Sequence, residues 1–168
     1  LLEISRIEAG TYEIHLDSIH IAPIVERIVE SVEQIAAEKQ LTIRCDVAPD
    51  LCALADDHAL EHVLLNLVDN ACKYTPSGGK IQVRAAVQGE SVRIEVEDNG
   101  PGIEARHRDR IFERFYRVDK GRSRDVGGTG LGLAIVKHLA EAMEGSVGVT
   151  AAEPQGSIFW VRLTASPE

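Results

Sequence analysis

The chain has 168 residues, of which 44% are hydrophobic and 27% charged, and its mean hydropathy is −0.08. These values predict one soluble globular domain and argue against disorder, and no run approaches the roughly 18 apolar residues of a membrane span. The 18 basic and 27 acidic residues give a formal charge of −9. This balance argues against nucleic acid as a major partner, because a phosphate backbone needs a basic face.

The sequence begins at Leu1 without a methionine and opens with no signal peptide. We therefore expect a cytoplasmic piece of a longer protein, whose remaining part holds any membrane anchor. The odd number of cysteines and the absence of a CxxC spacing favour reduced, buried thiols over a disulfide or zinc site. These cysteines are Cys45, Cys52 and Cys72.

The predicted elements follow one another as helices and antiparallel hairpins. In chain order they are a helix-compatible segment at 1–9, a strand at 12–16, a helix at 21–39, a strand at 41–47, a helix at 56–74, strands at 80–87 and 91–98, a helix at 129–145, and strands at 146–150 and 157–163. No βαβ unit repeats. The order therefore predicts an α+β fold, a two-layer α/β sandwich with a mixed, mostly antiparallel sheet and the helices on one face.

The two long helices carry apolar stripes at helical spacing. The stripe of the first is Ile24, Ile28, Val32 and Ile35, and that of the second is Leu60, Val63, Leu64, Leu67 and Ala71. Beside the second stripe, Asn66, Asn70 and Lys73 share one helix face. Either this is an ordinary exposed polar face, or it is a wall that offers amide oxygens to a hard cation and an ammonium to phosphate.

The strand at 91–98 alternates so that Asp98 falls on the same side as the apolar Val92, Ile94 and Val96. A carboxylate on that side needs a donor, and no neighbour in sequence supplies one. Asp98 therefore either caps a turn at the strand end or accepts a hydrogen bond from a ligand N–H.

Two glycine-rich segments follow this strand. Gly100 and Gly102 either serve turn geometry or allow a flat ligand to approach the backbone. The segment 127–133, Gly-Gly-Thr-Gly-Leu-Gly-Leu, opens the next helix and is either a hinge or an anion site built from free N–H groups. Of the basic residues between the segments, five lie in either a solvated loop or a polyphosphate site. They are Arg114, Arg117, Lys120, Arg122 and Arg124.

The order of these pieces resembles the GHKL ATPase superfamily, which has the Bergerat ATP-binding fold, and most closely its histidine kinases. Residues 66–75 are similar to the N box, 98–103 to the G1 box, 111–117 to the F box and 128–133 to the G2 box. The resemblance implies a sensor histidine kinase catalytic domain at 11–168, with an ATP lid at about 110–128. It also implies that residues 1–10 are the end of the dimerisation and phosphoacceptor helix with its linker. None of the six histidines stands in a phosphoacceptor context.

The resemblance also implies roles for matching residues. Asp98 would accept the adenine amino hydrogen, Tyr74 would pack near the base, and Asn70 would hold Mg²⁺ between the phosphates. Lys73 and Arg117 would contact phosphate oxygens, and Phe112 and Phe115 would pin the base of the lid. The full expected set for ATP is Asn66, Asn70, Lys73, Tyr74, Asp98, Gly100, Gly102, Ile103, Arg117, Gly128, Thr129, Gly130, Leu131, Gly132 and Leu133, with Asn66, Asn70, Lys73 and Arg117 catalytic.

One position separates subclasses of the superfamily. Hydrolysing relatives place a glutamate four residues before the magnesium asparagine, where this chain has Asn66, an amide that cannot act as a general base. The resemblance thus implies transfer of the γ-phosphate to a histidine on the protein's own dimerisation domain, in a homodimer that passes it to a response regulator. The alternatives are a GHKL ATPase or anti-sigma-like serine kinase, and a degenerate docking module without catalysis.

Overall fold

A computed structural model describes residues 13–118 and 132–167 of the chain. The strands are β1 (Asp17–His20), β2 (Thr42–Asp46), β3 (Cys52–Ala55), β4 (Lys80–Gln88), β5 (Ser91–Asp98), β6 (Ser146–Ala151) and β7 (Ser157–Thr164). The helices are α1 (Ile21–Glu38), α2 (Asp57–Tyr74), the single turn α3 (Ala105–Arg108) and α4 (Gly132–Ala142). None of the helices within these described ranges is long and apolar enough to cross a bilayer.

Five strands form the main sheet in the order β2-β4-β5-β7-β6, and only the β2–β4 pair is parallel. The mixed, mostly antiparallel sheet expected from the sequence is confirmed. β1 and β3 form a second, two-stranded antiparallel sheet. A bridge between Ala53 and Ala165 joins β3 to the residue after β7.

The core lies between the main sheet and the helices. The buried side chains of β5 and β7 belong to the same cluster as the apolar stripes of α1, α2 and α4. The stripe predicted for α2 is buried throughout. Burying such stripes against a sheet is the main favourable contribution to folding, at roughly 25 cal/mol per Å² of apolar area.

The outer face of the sheet carries charges. Arg84 donates to Glu95 at 2.7 Å and to Glu97 at 2.8 Å across the β4–β5 pair, and Arg93 donates to Glu95 at 2.9 Å. Burial raises the pKa of Glu95, but these hydrogen bonds outweigh it and hold the pKa below its ordinary value. The charged face is thus neutralised by pairs between β4 and β5 and along β5 itself.

Both ends of α2 are fixed by side chains from outside the helix. At its start, the carboxylate of Asp56 accepts from the Ala59 N–H at 2.9 Å. At its end, the ammonium of Lys39 donates to the carbonyls of Cys72 at 2.7 Å and Lys73 at 3.1 Å. A cation there satisfies carbonyls that have no partner within the helix and complements the helix dipole.

The sequence-based expectations fail at a few positions. The strand expected at 12–16 is wrong over its described part, because 13–16 is irregular and the strand is instead β1. The N–H of His15 donates to the Asp56 carboxylate at 2.9 Å, so this segment is tied to the start of α2 rather than to a strand. β3 escaped prediction because it is only four residues long. The helix-compatible segment at 1–9 lies outside the described residues.

Two burial expectations are also wrong. Ile35 is exposed, because the buried stripe of α1 continues from Ile28 through Val32 to Ala36 at four-residue spacing. Cys45 is exposed on the edge strand β2, whereas Cys52 and Cys72 are buried, and all three thiols are free.

Candidate functional site

The end of α2 meets the turn that follows β5, and the sequence-predicted site residues gather there. Asp98 is the last residue of β5 and Thr75 caps the C-terminus of α2. Gly100 separates them. A Cβ atom at Gly100 would lie 3.1 Å from Asp98 Oδ1, 3.3 Å from the Tyr74 carbonyl oxygen and 3.5 Å from Thr75 Cα. The helix end and the strand end therefore pack together through a position that has no side chain.

Asp98 is buried, with 9% of its surface exposed, as the alternation of β5 predicted. Its Oδ1 accepts from the Gly100 N–H at 2.9 Å, and the Ser157 N–H also donates to the carboxylate. Burial nevertheless raises the pKa of Asp98 above its ordinary value, the two N–H groups lower it in part, and the charge of Glu97 raises it. A buried acceptor held by two backbone amides is suited to receive an N–H donor from a ligand.

The turn between β6 and β7 presses against Asp98 from the other side. Gly156 has φ +115, and a Cβ there would lie 1.9 Å from the carbonyl oxygen of Asp98. Gly102, at φ +79, approaches the carbonyl oxygen of Gly156 in the same way, at 3.2 Å from its Cβ position. Only glycine adopts these conformations at little cost and fits the available space. We call Thr75, Asp98, Gly100 and Gly156 the buried end of the site.

The polar face of α2 extends from this end towards solvent. Asn66 and Asn70 are half-buried, and Lys73 is exposed. The ammonium of Lys73 pairs with Asp69 at 3.1 Å. Asn66 donates to the His62 carbonyl at 3.0 Å, and its Oδ1 lies 3.2 Å from where a Cβ at Gly132 would stand. The first described turn of α4 therefore lies directly against the amide of Asn66.

The segment 111–117 contributes both a buried anchor and an exposed ring. Phe112 is buried and meets Phe159 of β7 edge to face, with ring centroids 6.3 Å apart. Phe115 has φ +63 and is 61% exposed, so the expectation that both rings pin this segment holds only for Phe112. His107 hydrogen-bonds the Tyr116 hydroxyl, which ties α3 to the same segment.

Arg117 is half-buried and lines an open depression of about 370 Å³ with neighbours from its own segment. Among the residues that the structure describes, it forms no hydrogen bond with Asn70 or Lys73. We call Asn70, Lys73 and Arg117 the exposed end of the site. That Arg117 and Lys73 bind the same ligand therefore stays a prediction.

The remaining expected residues divide into two groups. Ile103 and Leu133 are partly buried against the core, and Tyr74, beside Thr75, is 42% exposed. Gly128, Thr129, Gly130 and Leu131, with most of the expected lid at 110–128, lie outside the described residues.

The site also contains residues that the sequence did not single out as binding residues. Thr75 is fully buried, Gly156 touches Asp98, and Ser157 donates to it. Local patterns do not reveal them, because each acquires its place through contacts with distant parts of the chain. In the sequence, Thr75 lies between a predicted helix and Pro76, so it indicates only the end of the helix.

The donor set limits what kind of cation the site accepts. Within 13–118 and 132–167, no group of three or more histidine, cysteine, aspartate or glutamate side chains is placed to bind a metal. An amide oxygen such as that of Asn70 is a hard ligand that suits Mg²⁺ only if a ligand's phosphates complete the coordination. The residues present fit a cation that arrives with a phosphate ligand.

The comparisons with known proteins agree with this geometry. Residues 55–167 match the family described as histidine kinase-, DNA gyrase B-, and HSP90-like ATPase. The chain belongs to this family of ATP-binding domains. The superfamily suggested by the sequence and the two-layer fold are thereby confirmed.

The individual relatives are sensor kinases. The chain is 37% identical to the sensor-like histidine kinase SenX3 of Mycolicibacterium smegmatis over 168 residues, which is 100% of this chain and 44% of that protein. The solved structure of full-length ShkA in complex with AMPPNP gives a TM-score of 0.84 at 36% identity, over 98% of this chain and 34% of that one. The mycobacterial sensor histidine kinase MprB gives 0.79 at 29% identity, over 92% and 100%. The chain thus spans less than half the length of SenX3.

Proposed function

We propose that this chain is the nucleotide-binding half of a protein histidine kinase, which binds Mg·ATP and presents the γ-phosphate to a histidine on a dimerisation domain. The observation that carries the proposal is the buried carboxylate of Asp98. Its two backbone donors hold it at the end of β5, and burial raises its pKa above the ordinary value in spite of them. A ligand with an N–H donor, such as the amino group of adenine, supplies a further hydrogen bond to this buried carboxylate.

The polar face of α2 supplies the phosphate contacts in this proposal. Lys73 would exchange its surface pair with Asp69 for a phosphate oxygen, and Asn70 would hold Mg²⁺ through its amide oxygen. The chemistry that Mg²⁺ would supply at Asn70 is neutralisation of charge on the transferred group. Arg117 would add a further phosphate contact, and the resemblance of 128–133 to the G2 box implies the same role for its glycines.

The choice between transfer and hydrolysis depends on Asn66. Its amide donates to the His62 carbonyl and faces the first turn of α4, and an amide does not take a proton from water. In the transfer step a lone pair on an imidazole nitrogen forms the new P–N bond. The bond between the γ-phosphorus and the β,γ-bridging oxygen breaks, and ADP leaves with its electron pair. The chain's own contribution is positioning and charge neutralisation.

The partners in this proposal are those of the histidine kinases. The acceptor histidine lies on the protein's own dimerisation domain, of which residues 1–10 are the end, and the assembled kinase is a homodimer. A response regulator then receives the phosphoryl group. The kinship with SenX3, of which this chain spans 44%, supports this arrangement.

Calorimetric titration with ADP and with a non-hydrolysable ATP analogue, with and without Mg²⁺, tests the proposal. We expect micromolar binding by the intact chain and a loss of about tenfold to a hundredfold in Asp98→Asn, since a hydrogen bond to a buried charged group is at stake. Asp46→Asn, at the exposed end of β2, is the matched control and should bind normally.

Two results would contradict the proposal. Absence of nucleotide binding by the intact chain would favour a docking module, and steady ATP hydrolysis at rates typical of an ATPase would favour a hydrolase.

A further inference from the structure

The hydroxyl of Thr75 is the one buried side-chain polar atom, within the described ranges, that has no hydrogen-bond partner. The residue is 0% exposed and follows directly on α2, with its N–H donating to the Ala71 carbonyl at 3.0 Å. A buried hydroxyl without a partner lowers stability relative to an apolar group of the same shape. A buried hydroxyl of this kind calls for a hydrogen-bond partner from outside the chain's own atoms.

The neighbours of Thr75 show where its hydroxyl stands relative to the site. The methyl carbon Cγ2 is directed at Gly79, where it would lie 2.2 Å from an added Cβ, so the hydroxyl branch is directed away from that glycine. On another side, Thr75 Cα and Asp98 Oδ1 lie 3.5 Å and 3.1 Å from the same point, the Cβ position of Gly100. No side chain stands between Thr75 and the carboxylate at that position.

We propose that Thr75 is a positioning residue of the nucleotide site, whose hydroxyl completes its hydrogen bond in the nucleotide complex through one water molecule enclosed beside the Asp98 carboxylate. Such a water would bond both the hydroxyl and the carboxylate, and enclosed sites with at least two polar partners hold ordered water. Bound nucleotide covers the buried end and prevents the exchange of that water with solvent. The inference rests on the proposed nucleotide-binding function and adds one residue to it.

The chemistry of threonine allows its hydroxyl and its shape to be tested separately. Thr75→Val keeps the branched shape and removes the hydroxyl, whereas Thr75→Ser keeps the hydroxyl and removes the methyl group. If the hydroxyl acts in binding, Val weakens ADP binding at least fivefold and Ser stays within twofold of the intact chain. If Thr75 serves only to pack against Gly79, the order is reversed.

The experiment measures ADP affinity by calorimetry and the melting temperature of the nucleotide-free chain for both variants. Thr164→Val, the same change at an exposed position at the end of β7, is the control and should alter neither quantity. We expect Thr75→Val to melt no lower than the intact chain, because it removes an unpaired buried hydroxyl. Weaker binding without loss of stability, rescued by serine, supports the proposal.

Binding by Thr75→Val as tight as that of the intact chain would overturn it. Should the valine variant fail to fold, Thr75→Ser and Thr75→Ala decide, and equal ADP affinity in those two overturns it equally. The proposed function fails separately, if the intact chain binds no ADP at all.

Discussion

The two ends of the candidate site are built in different ways. The buried end is assembled from backbone and short side chains contributed by α2, β5 and the β6–β7 turn, and it is closely packed. The exposed end consists of longer polar side chains on a helix face and in the segment after α3, and Lys73 there is paired with a surface acid. Under the proposed function, the buried end would determine which ligand fits, and the exposed end would contribute screened charge to its phosphates.

Substitution of Gly156 is expected to have the largest effect, because it disrupts the buried end directly. In Gly156→Ala the new Cβ would meet the Asp98 carbonyl oxygen at 1.9 Å, in a backbone conformation at φ +115 that alanine rarely adopts. We expect the free energy of unfolding to fall by at least about 3 kcal/mol, measured by urea denaturation, with loss of ADP binding.

A glycine elsewhere serves as the control for that change. Gly89, in the β4–β5 turn, also has positive φ, but a Cβ there would meet nothing within 4 Å. Gly89→Ala should cost only about 1 kcal/mol. Equal costs for the two variants would show that the contact with Asp98 is unimportant.

Substitution of Lys73 tests the exposed end and should have an intermediate effect. Lys73→Gln removes the proposed phosphate contact, so we expect ADP affinity to fall about fivefold and to depend less steeply on salt. The unfolding free energy should change by less than about 0.5 kcal/mol, because the pair with Asp69 is at the surface. Lys137→Gln, exposed on α4, is the control for both titrations. An affinity independent of Lys73 would place the phosphates elsewhere.

The smallest effect concerns the charge of Asp98 in the nucleotide-free chain. Because the pKa of Asp98 is raised in the fold, its contribution to stability is fully present below the ordinary pKa of 3.8 and is lost as pH rises through the folded value. At pH 7 we therefore expect Asp98→Asn to be as stable as the parent chain, or more stable by less than about 1 kcal/mol. The difference should vanish on acidification through that window, as measured by urea denaturation at a series of pH values.

An Asp98→Asn variant that is clearly less stable at pH 7 would contradict this account. It would mean that the carboxylate anchors the turn after β5 and is not held for a ligand. The buried end would then be an ordinary part of the structural core and would have no separate role in selecting a ligand.

Much of this arrangement was accessible from the sequence because it depends on local periodicity. The alternation of β5 predicted that Asp98 faces inward, and the stripe of α2 placed Asn66, Asn70 and Lys73 on one face. Both inferences use only neighbouring residues and the geometry of one element. The superfamily was recognisable because its motifs stand in the same order in this chain.

What the sequence did not reveal depends on contacts between distant segments. Thr75 packs beside Gly79 and Gly100, and Gly156 packs against Asp98. These contacts cannot be inferred from a local sequence pattern. Ile35 and Phe115 were predicted to be packed but are exposed. The sequence does not distinguish an apolar residue that packs in the core from one that lies beside the core and remains exposed. β1 and β3, at four residues each, are too short to show an alternation.

The exposure of Cys45 has a practical consequence for following ligand binding by fluorescence. It is the one exposed thiol of the chain's three, and it stands on edge strand β2, separated from β5 by β4. Partial burial, and secondarily the charge of Glu26, raises the pKa of the Cys45 thiol, so thiolate-dependent coupling to a maleimide dye is favoured by mildly alkaline buffer. A single fluorophore can thus be attached to the otherwise unmodified chain, on a strand that contributes no residue to either end of the site.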